Sequence, residues 1–329
     1  MSIETIFNSP DKWSSEYLTA DGYKTHYIEA GKYNEEGLVL VHGGSCEIGM
    51  GNYRWYPNIL PLAENFHVYA VDEIGHGFSD PPRDLSTLGH VRYRADHVIA
   101  FIEELGLGPV NIAGQSQGGW IVAYIAITRP DLVKKLILID SASVSGSAIQ
   151  SDKNQGLEGE MEVDGKVIKS GTGELPYFKE VFEPGSMMPK AGLTDTREGL
   201  RKYISIFVYD KSAVTEDWLD HLLESSKLWN AIYMEHKGKK YWEEKGLSGH
   251  QEMLNIEGRH IREHVHKINV PTLVIWGKNS NKGLDAGVTM YKNIENAQMH
   301  ILDKANHFLW LYQPHQFNSV VTWFLKDQA

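Results

Sequence analysis

A serine lies between two glycines in the segment Gly114-Gln115-Ser116-Gln117-Gly118, and the rest of the chain can be organised around it. The apolar residues Val110 to Ala113 predict a short buried strand before it, and the residues after it, up to Pro130, predict a helix. So tight a turn strains its central residue and holds the hydroxyl above the sheet edge, at a helix N-terminus. The pattern favours a nucleophilic serine; the alternative is an ordinary strand-to-helix turn of a doubly wound protein.

A serine hydroxyl becomes a useful nucleophile when a base removes its proton. Of the fifteen histidines, His307 has the required place in the chain, because it follows the last predicted strand and can reach the sheet edge that carries Ser116. We therefore predict that His307 is the base; the alternative is a surface or core histidine. His42 and His76 are interpreted as structural residues of their loops.

Acyl transfer to a serine also needs two N–H donors for the developing oxyanion. The residue after the nucleophile, Gln117, is predicted to supply one of them. The loop His42-Gly43-Gly44-Ser45, which follows a predicted buried strand, is predicted to supply the other, from Gly44 or Ser45. Gly43 is assigned to the substrate-binding surface.

The third member of such a site is a carboxylate that orients the imidazole. The loop after the seventh predicted strand, residues 277–285, has no acid three residues past its glycine. Asp140, at the end of the sixth predicted strand, is the preferred candidate, although it could simply cap nearby amides. Asp285 is the second candidate, but its position before a helix is also that of an N-cap. A site with no acid is the remaining alternative.

Eight segments with strand character alternate with helical segments over residues 1–142 and 269–329. This alternation predicts an α/β fold with a mostly parallel sheet covered by helices on both faces. The alternation stops over residues 143–268, where a small hairpin at 160–169 is followed by amphipathic helical sequence rich in aromatic residues. We interpret residues 143–268 as a lid, with Phe207, Trp229 and Tyr233 lining the substrate pocket; the alternative is a helical subdomain away from the site.

The net charge of −11 and the lack of a basic run argue against nucleic acid or an anionic membrane as a partner. A single cysteine, Cys46, excludes an internal disulfide and fits a reducing compartment, so a cytoplasmic location is expected. We expect no signal peptide and no membrane span, because no apolar run approaches about 20 residues. The predicted chemistry requires neither a cofactor nor a metal ion, and its partner is a small-molecule substrate.

With these residues placed, the chain resembles the α/β-hydrolase superfamily over nearly its whole length. Within it, the chain most resembles the meta-cleavage product hydrolases, which cleave a C–C bond in ring-opened aromatic compounds. The resemblance implies an inserted, mainly helical lid and the possibility of a homodimer. The matching stretches are His42-Gly43-Gly44, Asp72 with Gly75-x-Gly77-x-Ser79, residues 114–119, the lid segment 207–216, and Leu284-Asp285-Ala286-Gly287.

Three positions depart from that subfamily. Gln115 replaces the asparagine that usually precedes the nucleophile, and Ser280 stands where the subfamily has its acid. Asp140 ends a strand that usually ends without an acid; haloalkane dehalogenases and zearalenone-type lactonases carry their acid at that place. The resemblance thus implies a relocated carboxylate.

Three functions follow from this reading. The main hypothesis is a serine hydrolase that forms an acyl-enzyme and cleaves a C–C bond in a bulky, aryl-bearing or apolar ring-cleavage product. The second is an ester or lactone hydrolase. The third is a ligand-binding protein that uses the same scaffold without turnover.

Overall fold

The computed structural model describes residues 12–44, 51–84, 87, 90–141, 159–163, 166–170, 181, 192–236, 256–280 and 282–327. For residues 159–163, 166–170 and 230–236 it describes the backbone alone.

The main sheet is formed by eight strands: β1 (Trp13–Ala20), β2 (Tyr23–Ala30), β3 (Gly37–Val41), β4 (His67–Val71), β5 (Val110–Gln115), β6 (Val133–Ile139), β9 (Thr272–Gly277) and β10 (Ala297–Leu302). Their order across the sheet is β1-β2-β4-β3-β5-β6-β9-β10. The pairs β1–β2 and β2–β4 are antiparallel, and the other five pairs are parallel. The mostly parallel eight-stranded sheet predicted from the sequence is therefore confirmed.

A separate antiparallel hairpin is formed by β7 (Gly159–Val163) and β8 (Lys166–Ser170), where the sequence predicts one. Its predicted Asp164-Gly165 turn lies outside the described residues. The helices of the described chain include α1 (Tyr56–Ala63), α2 (Val91–Glu104), α3 (Gln117–Thr128), α4 (Arg197–Ser205), α5 (Glu216–His236), α6 (Leu284–Asn293), α7 (Leu309–Tyr312) and α8 (Pro314–Lys326). Residues 256–264 are also helical, and Asn52–Trp55 form a 3₁₀ turn.

Helices cover both faces of the sheet, which explains the continuous apolar runs of its central strands. In β3, Leu38 and Leu40 belong to one buried cluster, whereas Val39 and Val41 belong to the other. Neighbouring side chains of a strand point to opposite faces, so an apolar run buries both faces at once. The edge strand β1 instead alternates between covered and exposed positions.

The segment 192–236 packs over loops at the carboxyl ends of the parallel strands. The Trp218 indole donates a hydrogen bond to the carbonyl of Tyr53, which follows β3, at 3.2 Å. The Trp229 indole donates to the carbonyl of Gly77, in the loop after β4, at 2.7 Å. These two bonds hold α5 against the core at the edge where ligands bind in open α/β sheets.

The loop after β4 is tied to helix α2 by a buried neutral histidine. His97 Nδ1 accepts the Ile74 N–H at 3.2 Å, so the ring proton sits on Nε2, which lies 2.8 Å from Thr25 Oγ1. The Thr25 hydroxyl in turn donates to the carbonyl of Tyr23. Burial lowers the pKa of His97 from 6.5 to about 4, and a second ring proton would face the Ile74 N–H.

We expect His97 to make the protein less stable in mild acid. The unfolded chain takes up a proton near pH 6.5 and the folded chain only near pH 4, so this stabilisation is present above pH 6.5 and is lost as the pH falls. By pH 5 this difference costs about 2 kcal/mol of unfolding free energy. Urea unfolding at pH 7.5 and pH 5 should show a smaller loss for His97→Gln than for the wild type.

The exposed His300 provides the control, because His300→Gln removes a histidine without touching this network. Its loss of stability between the two pH values should match the wild type. An equal loss in the wild type and in His97→Gln would contradict the assignment.

Candidate active site

Ser116 occupies the corner between β5 and α3 in a strained backbone conformation. Its φ is 53° and its ψ is −118°, in a region that residues with a side chain rarely adopt. The flanking glycines permit the close approach: a Cβ on Gly114 would lie 2.2 Å from the carbonyl oxygen of Gly118. The Ser116 N–H donates to Ile139 at 3.0 Å, and its carbonyl accepts from the Ser141 hydroxyl at 2.6 Å. The strained turn is thus held by β6 and the loop after it.

The register of the sheet brings three strand ends together. Gln115 of β5 pairs with Ile139 of β6, and Ile139 pairs with Ile275 of β9. Ser116 and Asp140 are the next residues after the first two strands, so they lie side by side. His307 comes from the loop after β10, the next strand along the sheet.

His307 is buried and its ring is oriented by Asp140. The distance from His307 Nδ1 to Asp140 Oδ1 is 2.7 Å, so Nδ1 carries the proton and donates a hydrogen bond to the carboxylate. Burial lowers the pKa of His307 from its usual value, against the opposing effect of Asp140, and the nearby positive charges of Lys282 and Arg54 lower it further. In the neutral ring, Nε2 keeps its lone pair.

Asp140 accepts hydrogen bonds from three sides. Besides His307, the Ser280 hydroxyl donates to Oδ1 at 2.7 Å, and the Gly277 N–H donates to Oδ2 at 3.2 Å. A fully buried carboxylate needs such donors to offset its desolvation. Ser280, which stands where the resembling subfamily has its acid, therefore binds the acid of the neighbouring strand.

Asp285, the second candidate, is exposed in the first turn of α6. The N-cap of this helix is Gly283, so Asp285 is not the capping residue that its sequence position suggested. A carboxylate in the first turn of a helix still interacts favourably with the helix dipole.

The carbonyls of the loop after β3 are held by two interior donors. His42 Nδ1 donates to the Gly43 carbonyl at 3.1 Å, and Arg94 Nη2 donates to the Gly44 carbonyl at 3.3 Å. In a trans peptide the C=O and N–H point in opposite directions, so the N–H of Gly44 is directed away from the His42 ring. Ser45 lies outside the described residues.

Arg94 also holds the other predicted donor residue. Its Nη1 donates to the side-chain oxygen of Gln117 at 2.6 Å, and its Nε donates to Glu73 Oε2 at 2.5 Å. One buried guanidinium thus joins the loops after β3, β4 and β5. Arg94 was not predicted from the sequence; the available signal was an arginine among the buried positions Val91, Ala95 and Val98 of an amphipathic helix.

Gln115 and Arg54 form a second buried network that the sequence did not reveal. Arg54 Nη1 donates to Gln115 Oε1 at 3.0 Å, and Gln115 Nε2 lies 3.1 Å from His307 Nε2. The Arg54 guanidinium also lies 4.9 Å from the centre of the Phe308 ring. Burial lowers the pKa of Arg54 to about 10, so it remains charged at neutral pH.

The three aromatic residues predicted to line the pocket have different surroundings. The Phe207 ring lies 5.7 Å from the His307 ring, and its carbonyl accepts the Phe308 N–H at 2.9 Å. Trp229 is buried, and its indole N–H donates to the carbonyl of Gly77. The side chain of Tyr233 is outside the described residues. Phe207 therefore lies against the candidate base.

A family model described as the alpha/beta hydrolase fold matches residues 37–162. Among solved structures, a membrane phospholipase A, a bacterial virulence factor, superposes with a TM-score of 0.70 at 20% identity, covering 98% of this chain and 89% of that one. A meta-cleavage product hydrolase from Pseudomonas fluorescens gives a TM-score of 0.63 at 21% identity, covering 94% of this chain and 97% of that one. The protein has the α/β-hydrolase fold.

The curated relatives of this chain agree with the resemblance seen in its motifs. A 2-hydroxy-6-oxononadienedioate/2-hydroxy-6-oxononatrienedioate hydrolase of Burkholderia vietnamiensis is 26% identical over 307 residues, which are 92% of this chain and 91% of that protein. The sequence resemblance to the meta-cleavage product hydrolases is thereby confirmed.

In the parts of the chain that the structure covers, no three His, Cys, Asp or Glu side chains are grouped to hold a metal ion. Among the helices described, none is both long and apolar enough to cross a bilayer.

The ionisation of His307 should report its contact with Asp140. We expect an NMR titration of the wild type to give His307 a pKa below 6.5, because burial outweighs the carboxylate. Asp140→Asn should lower it further, since it removes the negative charge that stabilises the protonated ring. Asp285→Asn is the matched control and should leave the pKa of His307 at its wild-type value. An equal shift of this pKa in both variants would contradict the pairing of His307 with Asp140.

Proposed function

We propose that the protein is a serine hydrolase that cleaves a C–C bond in a ring-cleavage product, a vinylogous diketone. The observation that carries the proposal is the strained Ser116 beside the buried His307–Asp140 pair, at the carboxyl edge of an α/β-hydrolase sheet. The substrate class is supported by the full-length similarity to a relative named for hydrolysis of 2-hydroxy-6-oxononadienedioate.

The chemistry begins with a proton moving from the Ser116 hydroxyl to His307 Nε2 as the oxygen attacks the substrate ketone carbonyl. Asp140 stabilises the imidazolium that forms, without taking its proton. The negative charge on the carbonyl oxygen is held by N–H groups of Gln117 and of Gly44 or Ser45.

Collapse of this intermediate breaks the C–C bond and leaves an acyl group on Ser116. The leaving fragment carries away the electron pair of this bond. It is stabilised as an enolate only if the substrate has first ketonised, and the protonated His307 then protonates this enolate. His307 next takes a proton from water, and the resulting attack on the ester releases a carboxylic acid and restores Ser116.

Residues 143–268 act in this proposal as a lid over the site. The bonds from Trp218 and Trp229 to the core loops, and the contact of Phe207 with His307, support that placement. Phe207, Trp229 and Tyr233 would then line a pocket for a bulky apolar or aryl group, with Gly43 on the opposite wall.

The position of the acid supports a second candidate function, ester or lactone hydrolysis. Asp140 follows β6, and Ser280 lies in the loop after β9. The C–C hydrolases that the chain resembles usually have their acid in the second of these loops. An ester or lactone leaving group departs as an oxygen anion, so no ketonisation step is required. A ligand-binding protein without turnover is the third possibility for the same scaffold.

We propose a homodimer that acts on a small molecule without a cofactor. The single cysteine of the sequence supports a reducing, cytoplasmic location.

Ser116→Ala should abolish turnover and leave ligand binding measurable, because the nucleophile is lost while the pocket keeps its shape. A coloured ring-cleavage product should bleach on mixing with the wild type and keep its colour with the variant. Ser212→Ala, at an exposed lid position, is the control and should bleach like the wild type.

The same assay separates the candidate functions. Bleaching without ester or lactone turnover supports the C–C reaction, and the reverse pattern supports the second candidate. Tight binding of the coloured compound without bleaching or ester turnover in the wild type would contradict both.

The role of Asp140 as the acid can be tested by moving the carboxylate from the loop after β6 to the loop after β9. Asp140→Asn should lower kcat by about four orders of magnitude, as for other triad acids. Adding Ser280→Asp to this variant places a carboxylate in the loop whose serine already contacts residue 140, and should restore part of the loss. Asp285→Asn should keep wild-type kcat. A rate unchanged by Asp140→Asn would remove Asp140 from the mechanism.

A further inference from the structure

The side chain of Gln115 is oriented by a donor that allows only one arrangement of its amide. Arg54 Nη1 lies 3.0 Å from Gln115 Oε1, and a guanidinium donates hydrogen bonds but cannot accept them. The amide oxygen must therefore face Arg54, and the amide nitrogen faces His307. Both Gln115 and Arg54 are buried, so water does not compete for these positions.

The amide nitrogen meets the nitrogen of His307 that the proposed reaction uses. Because Nδ1 donates to Asp140, Nε2 carries the lone pair, and Gln115 Nε2 donates to it over 3.1 Å. An imidazole nitrogen has a single in-plane lone pair and accepts one well-aligned hydrogen bond. In the proposed reaction the hydroxyl of Ser116 needs this same acceptor, so it can be used only after Gln115 has given it up.

We propose that Gln115 is a positioning residue that holds His307 in a neutral resting form and releases its lone pair when substrate enters the site. The inference rests on the proposed function, since it assigns a device to the same base. It goes beyond that function because the nucleophile is then activated by substrate entry and not by the fold alone.

The network also explains why the resting ring resists a second proton. A proton on His307 Nε2 would point at the N–H₂ group of Gln115, so two donors would face each other. Turning the amide over would not help, because its N–H₂ would then face the guanidinium of Arg54. Protonation therefore has to displace the Gln115 side chain, as substrate does in the proposal.

The amide lies directly beneath the loop predicted to hold the oxyanion. A Cβ on Gly43 would lie 2.4 Å from Gln115 Oε1 and 2.7 Å from the Cβ of Ser116. The loop therefore packs directly against the amide and Ser116, and we expect a ligand that binds at this loop to shift the amide packed against it. This places the release of His307 at the point where the reacting carbonyl must bind.

The rate of phosphorylation of Ser116 tests, without a natural substrate, whether Gln115 holds the lone pair of His307. Diethyl 4-nitrophenyl phosphate transfers its phosphoryl group to a reactive serine oxygen and releases 4-nitrophenol, which is followed by absorbance across pH 5 to 9. Gln115→Met keeps the side-chain length and removes both hydrogen bonds. We expect the plateau rate to rise about fivefold and the acid limb to move up by about 0.7 pH unit, the equivalent of one neutral hydrogen bond.

Gln316→Met is the matched control, because it makes the same substitution at an exposed position of α8. Its acid limb should coincide with that of the wild type. Gln115→Glu provides a second variant if Gln115→Met does not fold: a carboxylate accepts a hydrogen bond from protonated His307, so the acid limb should rise by more than one pH unit.

The outcomes separate this inference from the function on which it rests. If peptide mapping finds no phosphoryl group on Ser116 of the wild type, the proposed function fails. If Ser116 is modified but the folded Gln115 variants show the wild-type acid limb, Gln115 has only a structural role and the inference is overturned. A rise in both rate and acid limb for Gln115→Met supports it.

Discussion

The hydrogen bond between His307 and Asp140 is the interaction on which the candidate site depends. It joins residues 167 positions apart in the chain and is buried, so it forms only after the sheet has brought β6 and β10 into place. By placing the proton on Nδ1, it leaves the Nε2 lone pair facing β5. Every chemical role proposed for Ser116 and Gln115 requires that tautomer.

Buried charge is the cost of this arrangement, and the structure offsets it with hydrogen bonds. Asp140 receives three donors, and Arg94 pairs with Glu73 while also binding Gln117 and the Gly44 carbonyl. Removing one partner of such a set leaves an uncompensated charge, which costs far more than a surface ion pair contributes. These networks therefore determine where the loops around Ser116 lie.

The location of Asp140, the proposed acid, illustrates how a sheet can keep one geometry with different residues. β6 and β9 are parallel neighbours in register, so a side chain that follows either strand can approach the same imidazole. Here the aspartate follows β6 and the serine follows β9, and the two are hydrogen-bonded at 2.7 Å. The contact shows why an exchange of acid between the two loops is sterically reasonable.

The sequence alone determined the strands, their alternation with helices and the strained turn at Ser116, because these depend on local periodicity and on glycines close in the chain. Strand ends depend on more distant contacts: β6 begins at Val133, before its apolar run, because Lys135 extends to the carbonyl of Phe324 and so fits within a strand. Between Asp140 and Asp285, the residues by themselves left the choice of acid open.

Only the tertiary structure decided which side chains meet. Gln115 contacts Arg54 and His307, which are 61 and 192 positions away, and Arg94 reaches Gly44 from a helix 50 positions further on. Local sequence patterns do not predict such pairs, because a polar side chain has the same secondary-structure propensity whether it faces water or a buried partner. Their geometry follows from strand order and register, which are set by packing of the whole chain.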